Sequence, residues 1–169
     1  MKINISNLKD GEHIFDFKEA PEVFGIESVK LDSEVDIHVV LYKMVNQFNL
    51  KITLSGDAIL ECDRCLDNYR TKFGNEFELI YKYDFGNDED KEGTPEDDNF
   101  KYISPHTHTI DLTEDVRDYI ILGIPMRKVP EEIDGICTVC NRNIDDLLNK
   151  KEEDSTNPVW DKLKNIRNN

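Results

Sequence analysis

Phe48-Asn49-Leu50-Lys51-Ile52-Thr53-Leu54-Ser55 puts an apolar residue at every second position. Period two matches a strand with one face in the core and one in water. Upstream, Val35, Ile37, Val39 and Leu41 alternate with Asp36, His38, Val40 and Tyr42. Downstream, Phe77, Leu79, Tyr81 and Tyr83 alternate with Glu78, Ile80 and Lys82. Short gaps between such strands predict an antiparallel sheet, because a parallel crossover needs a dozen residues or more. Gly56-Asp57 predicts a bend or bulge before Ala58-Ile59-Leu60. Weaker strands are expected near Lys2–Ile5 and His13–Phe17. A long sheet of this kind tends to curl, so the expectation is a strongly curved sheet or partial barrel.

The pattern breaks at Asp84–Asn99, which holds eight acidic residues and one lysine. Such a stretch has nothing to bury and predicts a flexible acidic loop. Beyond it the period changes. Asp111-Leu112-Thr113-Glu114 has the form of a capping box, and Leu112, Val116, Tyr119 and Ile120 then share one helical face. Gly123 and Pro125 end that helix. A C-terminal helix is expected over about Pro158–Arg167, with Trp160, Leu163 and Ile166 on one side. The expected fold is α+β, a single domain over residues 1–169 with the acidic loop inside it.

Composition limits the function classes. With 21 basic and 36 acidic side chains the formal net charge is −15. Bulk electrostatics therefore works against nucleic-acid binding, although a local basic patch remains compatible with it. The longest uncharged apolar run, Tyr119–Met126, is far shorter than the roughly 20 residues of a membrane-spanning helix. The first residues, Met1-Lys2-Ile3-Asn4-Ile5, lack the apolar core of a secretory signal, so a cytoplasmic protein with no membrane partner is expected.

All four cysteines fall in two pairs of equal spacing, Cys62-Asp63-Arg64-Cys65 and Cys137-Thr138-Val139-Cys140. Two intervening residues let both sulfurs of a pair face one ion from a tight turn, and two such knuckles complete a tetrahedral thiolate shell. In a reducing compartment this predicts a structural zinc rather than disulfides. Four thiolates leave no position for a reactive water, which argues against catalytic zinc. Seventy-one residues separate Cys65 from Cys137, so the fold must bring the knuckles together. A thiol oxidoreductase is the competing chemistry. Its CxxC normally opens a helix in a parallel βαβ setting, which the sequence does not show. His106-Thr107-His108 has ligand spacing but lacks a third ligand. No catalytic constellation stands out among the remaining residues.

Several short motifs follow one another along the chain. A strand run leads into Cys62-Asp63-Arg64-Cys65-Leu66, and an acidic variable stretch follows the central strands. Ile110-Asp111-Leu112, Glu114 and Val116 come next, and the helix ends near Pro125. Then come the second knuckle with Asn141, Asn143 and Ile144, and Asn157-Pro158 followed by Leu163. In this order the motifs resemble those of the YceD family of large ribosomal RNA subunit accumulation proteins, many members of which carry glycine where Asn141 stands.

The resemblance implies a non-enzymatic factor in large-subunit biogenesis that supports 23S rRNA accumulation or processing. Its expected partner is 23S rRNA or a large-subunit precursor. The basic residues nearest the knuckles in sequence are the candidate RNA contacts: Arg64, Arg70, Lys72, Arg127, Lys128 and Arg142. For Arg64 the alternative role is a salt bridge or a donor to cysteine sulfur. A second reading is an acidic adaptor that docks on a basic ribosomal protein without touching RNA.

Overall fold

The computed structural model describes residues 1–86 and 99–148. Most of the expected acidic loop, the expected C-terminal helix and the Asn157-Pro158 motif lie outside the described residues. The chain forms two compact units, Met1–Glu61 with Asn68–Lys128, and Cys62–Asp67 with the residues from Val129 on.

The first unit is built on a sheet in the order β2 (Gly11–Glu19), β4 (Val35–Met44), β5 (Gln47–Glu61), β6 (Asn68–Tyr83), β7 (Phe100–Ile103). A short β3 (Lys30–Leu31) pairs with the far half of β5. The alternation at Phe48–Ser55 is borne out: Phe48, Leu50, Ile52 and Leu54 are each at most 1% exposed. Leu50 lies opposite Leu41 of β4 and Leu79 of β6, and Ile52 lies opposite Val39 and Phe77. One face of three strands thus forms a continuous apolar layer. Burying each such side chain contributes about 1.5–3 kcal/mol.

Four expectations are corrected. Residues 56 and 57 form no bulge, because β5 and β6 stay in one register from Gln47↔Lys82 to Glu61↔Asn68. Gly56 instead makes room for an aromatic ring: a Cβ there would sit 2.8 Å from the Phe73 ring. Strand β6 starts at Asn68, well before Phe77. Its inward positions 71 and 75 are Thr and Asn, so apolar alternation fades there while backbone pairing continues. The sheet is not wholly antiparallel, since β7 runs parallel to β6. The long acidic connection supplies the crossover length that a parallel pair requires. The described strands also leave the sheet open, with β2 and β7 at its two ends and no pairing between them.

A separate antiparallel pair joins β1 (Lys2–Asn4) to β8 (Thr109–Asp111) and buries Ile3 against Ile110. Helix α1 (Thr113–Gly123) follows. Its cap falls at Leu112, one residue later than expected, yet the Asp111 carboxylate still accepts the Thr113 N–H (3.0 Å) and hydroxyl (2.7 Å). Val116 and Ile120 are buried, and Tyr119 stacks on Phe77 with ring centroids 3.6 Å apart. Asp115 holds the Tyr81 hydroxyl and the Lys101 ammonium, tying α1 to β6 and β7. Among the described residues no helix is long and apolar enough to cross a membrane.

Candidate metal centre

The second unit contains all four cysteines. Its two CxxC turns share one backbone design. In the first, Leu66 N–H donates to Cys62 O (2.9 Å) and Cys62 N–H donates to Asp67 O (3.0 Å). In the second, Asn141 N–H donates to Cys137 O (2.8 Å) and Cys137 N–H donates to Arg142 O (3.0 Å). The residue after each pair is left-handed, Leu66 at φ 61 and Asn141 at φ 56. Glycine and asparagine take that conformation most readily, which suits Asn141 to its position.

The sulfurs repeat the pattern. Cys62 accepts the backbone N–H groups of Arg64 and Cys65, and Cys137 accepts those of Val139 and Cys140. Burial pushes the Cys62 thiol up, but these N–H donors and the neighbouring thiols outweigh it and lower its pKa. The two N–H donors lower the Cys137 thiol despite its burial. Cys65 goes the other way: burial and the sulfurs beside it push it up to about 12. Clustered thiols cannot all ionise while like charges stay uncompensated.

The sulfurs of Cys62, Cys65 and Cys137 lie within 4.8 Å of one another, and Cys65 is 3.9 Å from Cys137. A disulfide needs about 2.05 Å. Tetrahedral zinc with bonds of about 2.3 Å holds its sulfurs about 3.8 Å apart. Cys140 groups with Cys65 and the Asp67 carboxylate. All four cysteines are free thiols. The spacing, the N–H···S donors and the compensation the thiols require all fit a dication.

A hairpin supports the second knuckle. Strands β9 (Glu132–Ile133) and β10 (Ile136–Cys137) are joined by Asp134-Gly135, both at positive φ. A two-residue Asp-Gly loop is the preferred tight hairpin turn. Ile136 also bridges to Asn143, and Ile144 N–H donates to Gly135 O just before the short helix α2 (Ile144–Leu148). Arg64 reaches this hairpin. Its Nη1 donates to Glu132 (2.7 Å) and its Nη2 to Pro130 O (2.8 Å), while among the described residues no nitrogen or oxygen partner meets its buried Nε. Burial would weaken the guanidinium's hold on its proton, but Glu132 and the Cys62 sulfur strengthen it.

The six basic candidates therefore fare differently. The Arg64 side chain is only 8% exposed and is committed inside the second unit. Arg142, 53% exposed, pairs with Asp67 at 3.4 Å and donates to the Cys140 sulfur. In the first unit, Arg70 pairs with Asp32 (2.7 Å) and Asp57 (3.7 Å). Lys72 lies two residues on along β6 and is exposed. Arg127 is exposed and Lys128 half-buried beyond α1. The unanticipated participants are Asp67 and Glu132. Asp67 directly follows a knuckle and could be suspected from that. Glu132 carries no sequence signal beyond its place before an Asp-Gly turn.

A family model described as "Large ribosomal RNA subunit accumulation protein YceD" matches residues 50–167, a span that includes all four cysteines. No curated protein and no solved structure matches the chain.

Proposed function

The chain belongs to the YceD family of large ribosomal RNA subunit accumulation proteins, and on that premise we propose that it is a non-enzymatic cytoplasmic factor in large-subunit biogenesis. It supports 23S rRNA accumulation or processing. A structural zinc held by Cys62, Cys65, Cys137 and Cys140 orders its second unit. The carrying observation is the paired design of the two CxxC turns, each with two N–H donors on its leading sulfur. Zinc supplies charge compensation and a cross-link there; the protein's residues do the rest. Arg64 and Arg142 place two positive charges beside the thiolates, but each is shared with a carboxylate, Glu132 or Asp67, so the zinc dication supplies the main compensation for the sulfurs. Such donors orient metal ligands and stabilise their charge.

Depleting the protein should lower the ratio of 23S to 16S rRNA. Restoring the native chain should correct that ratio, and a Cys62→Ser/Cys137→Ser variant should not. Purified native chain should carry one zinc, and the variant should lose it. An unchanged rRNA ratio on depletion removes the biogenesis role. Metal-free protein with four reactive thiols removes the zinc and reopens thiol chemistry.

A second reading has its own support. Arg64, Arg70 and Arg142 are each bound to carboxylates, which reduces the basic surface open to RNA phosphates. Docking on a basic ribosomal protein uses the acidic excess instead. The two readings separate by mapping: RNA contact is weakened by Lys72→Glu and Arg127→Glu, and the adaptor by neutralising surface acids. Salt weakens both.

A further inference from the structure

Strand β2 ends the sheet of the first unit with an open edge. It pairs with β4 without interruption from Gly11↔Lys43 to Glu19↔Val35, and among the described residues no strand lies on its other side. The alternate N–H and C=O groups that face outward along this nine-residue strand form a template for another strand, and natural sheets usually blunt such edges with proline, a bulge or a very short strand. Strand β2 has no proline, its register shows no bulge, and it is more than twice as long as β7 at the opposite end. Phe15 and Phe17 remain half-buried on the core face of this edge, and Ile14 is 57% exposed on the other.

The remaining protective device would be charge, and here the charges are self-complementary. In an antiparallel pairing of β2 with a copy of itself about Phe15, Glu12 falls opposite Lys18 of the other copy, twice by symmetry. His13 then falls opposite Phe17, and Phe15 opposite Phe15. Directly opposed residues share a face, so both aromatics continue the core layer across the junction. Moving the dyad to Ile14 sets Glu12 against Asp16, which repels. Moving it to Asp16 leaves Glu12 and Lys18 without opposite charges. Asp16 itself is held by His38 at 2.7 Å, and Lys18 reaches Asp36 at 3.0 Å, both on the neighbouring strand, so in the pairing Lys18 lies between Asp36 and the other copy's Glu12.

We propose that two copies of this chain associate edge to edge through β2, antiparallel and centred on Phe15, with Glu12 of each copy against Lys18 of the other. The association is isologous, as a two-fold interface requires. It stands on the sheet alone and does not depend on the metal or on the ribosomal role.

Sedimentation equilibrium of the full chain over a micromolar-to-millimolar range tests it. The native chain should form a dimer. Glu12→Lys brings two ammonium groups face to face at each pair, and Lys18→Glu brings two carboxylates face to face. Each single variant should therefore weaken dimerisation about tenfold. Both positions are exposed strand sites, and unchanged circular dichroism would confirm that each variant folds. Mixing the two variants should restore association, because the mixed dimer regains an opposite-charge arrangement: one pair joins the two introduced side chains and the other the two native ones. A monomeric native chain overturns the proposal. So does a dimer indifferent to either substitution, and so do weakened variants that fail to recombine on mixing.

Discussion

Gly56 shows how much one missing atom can matter. Phe73 lies opposite it on β6, is 5% exposed, and occupies the volume a methyl group would take. Gly56→Ala should therefore cost about 1–3 kcal/mol, the range for overpacking a filled site. Urea unfolding would measure it, and the double variant Gly56→Ala/Phe73→Leu should recover much of the loss. A cost no larger than that at an exposed glycine would refute this account. The sequence marks residue 56 as unusual but not why, since the ring it accommodates is 17 positions away in the chain. Asn141 is the opposite case. Its left-handed backbone is a local demand, and asparagine is one of the few residues that announce it.

At the level of elements, helix α1 depends on one carboxylate. The hydroxyl and N–H of Thr113 hold the Asp111 carboxyl below its ordinary pKa. A carboxyl depressed by folding stabilises above its unfolded pKa of about 3.9, and that contribution disappears as pH falls through the lower folded value. Asp111→Ala should cost about 1 kcal/mol at neutral pH, as loss of a cap does. The gap between variant and native chain should close as pH falls below about 4. Thermal unfolding across that range would show it, and a pH-independent gap would assign the effect to packing. This helix was legible because capping residues and apolar spacing are local. Strands β4 and β5 were legible because their alternation is unbroken. Strands β3, β9 and β10 span two residues each, too few to show any period. The parallel sense of β7 was illegible because it depends on where a distant chain segment returns.

For the molecule as a whole, the two units are stabilised by different means. The first has the apolar layer on its sheet. In the second, the buried residues among those described are Cys62, Cys137 and Ile144. So little apolar burial among the described residues does not offset their chain entropy, and on the proposed reading a bound metal supplies the rest. Chelation should raise amide exchange at Cys62–Asp67 and beyond Val129, while the amides of β4 and β5 stay protected. Equal loss of protection in both units would contradict this. The cysteine set was legible from spacing alone. Its polar surroundings were not, because Arg64 meets Glu132 and Asp67 meets Arg142 across long stretches of chain. The pairing of β1 with β8 also bears on synthesis. Lys2 waits for Asp111 to leave the ribosome, on the order of 5 to 20 s at ordinary elongation rates. Through that interval Ile3 and Ile5 have no strand to cover them, so the nascent chain carries an exposed apolar segment until residues 109–111 emerge.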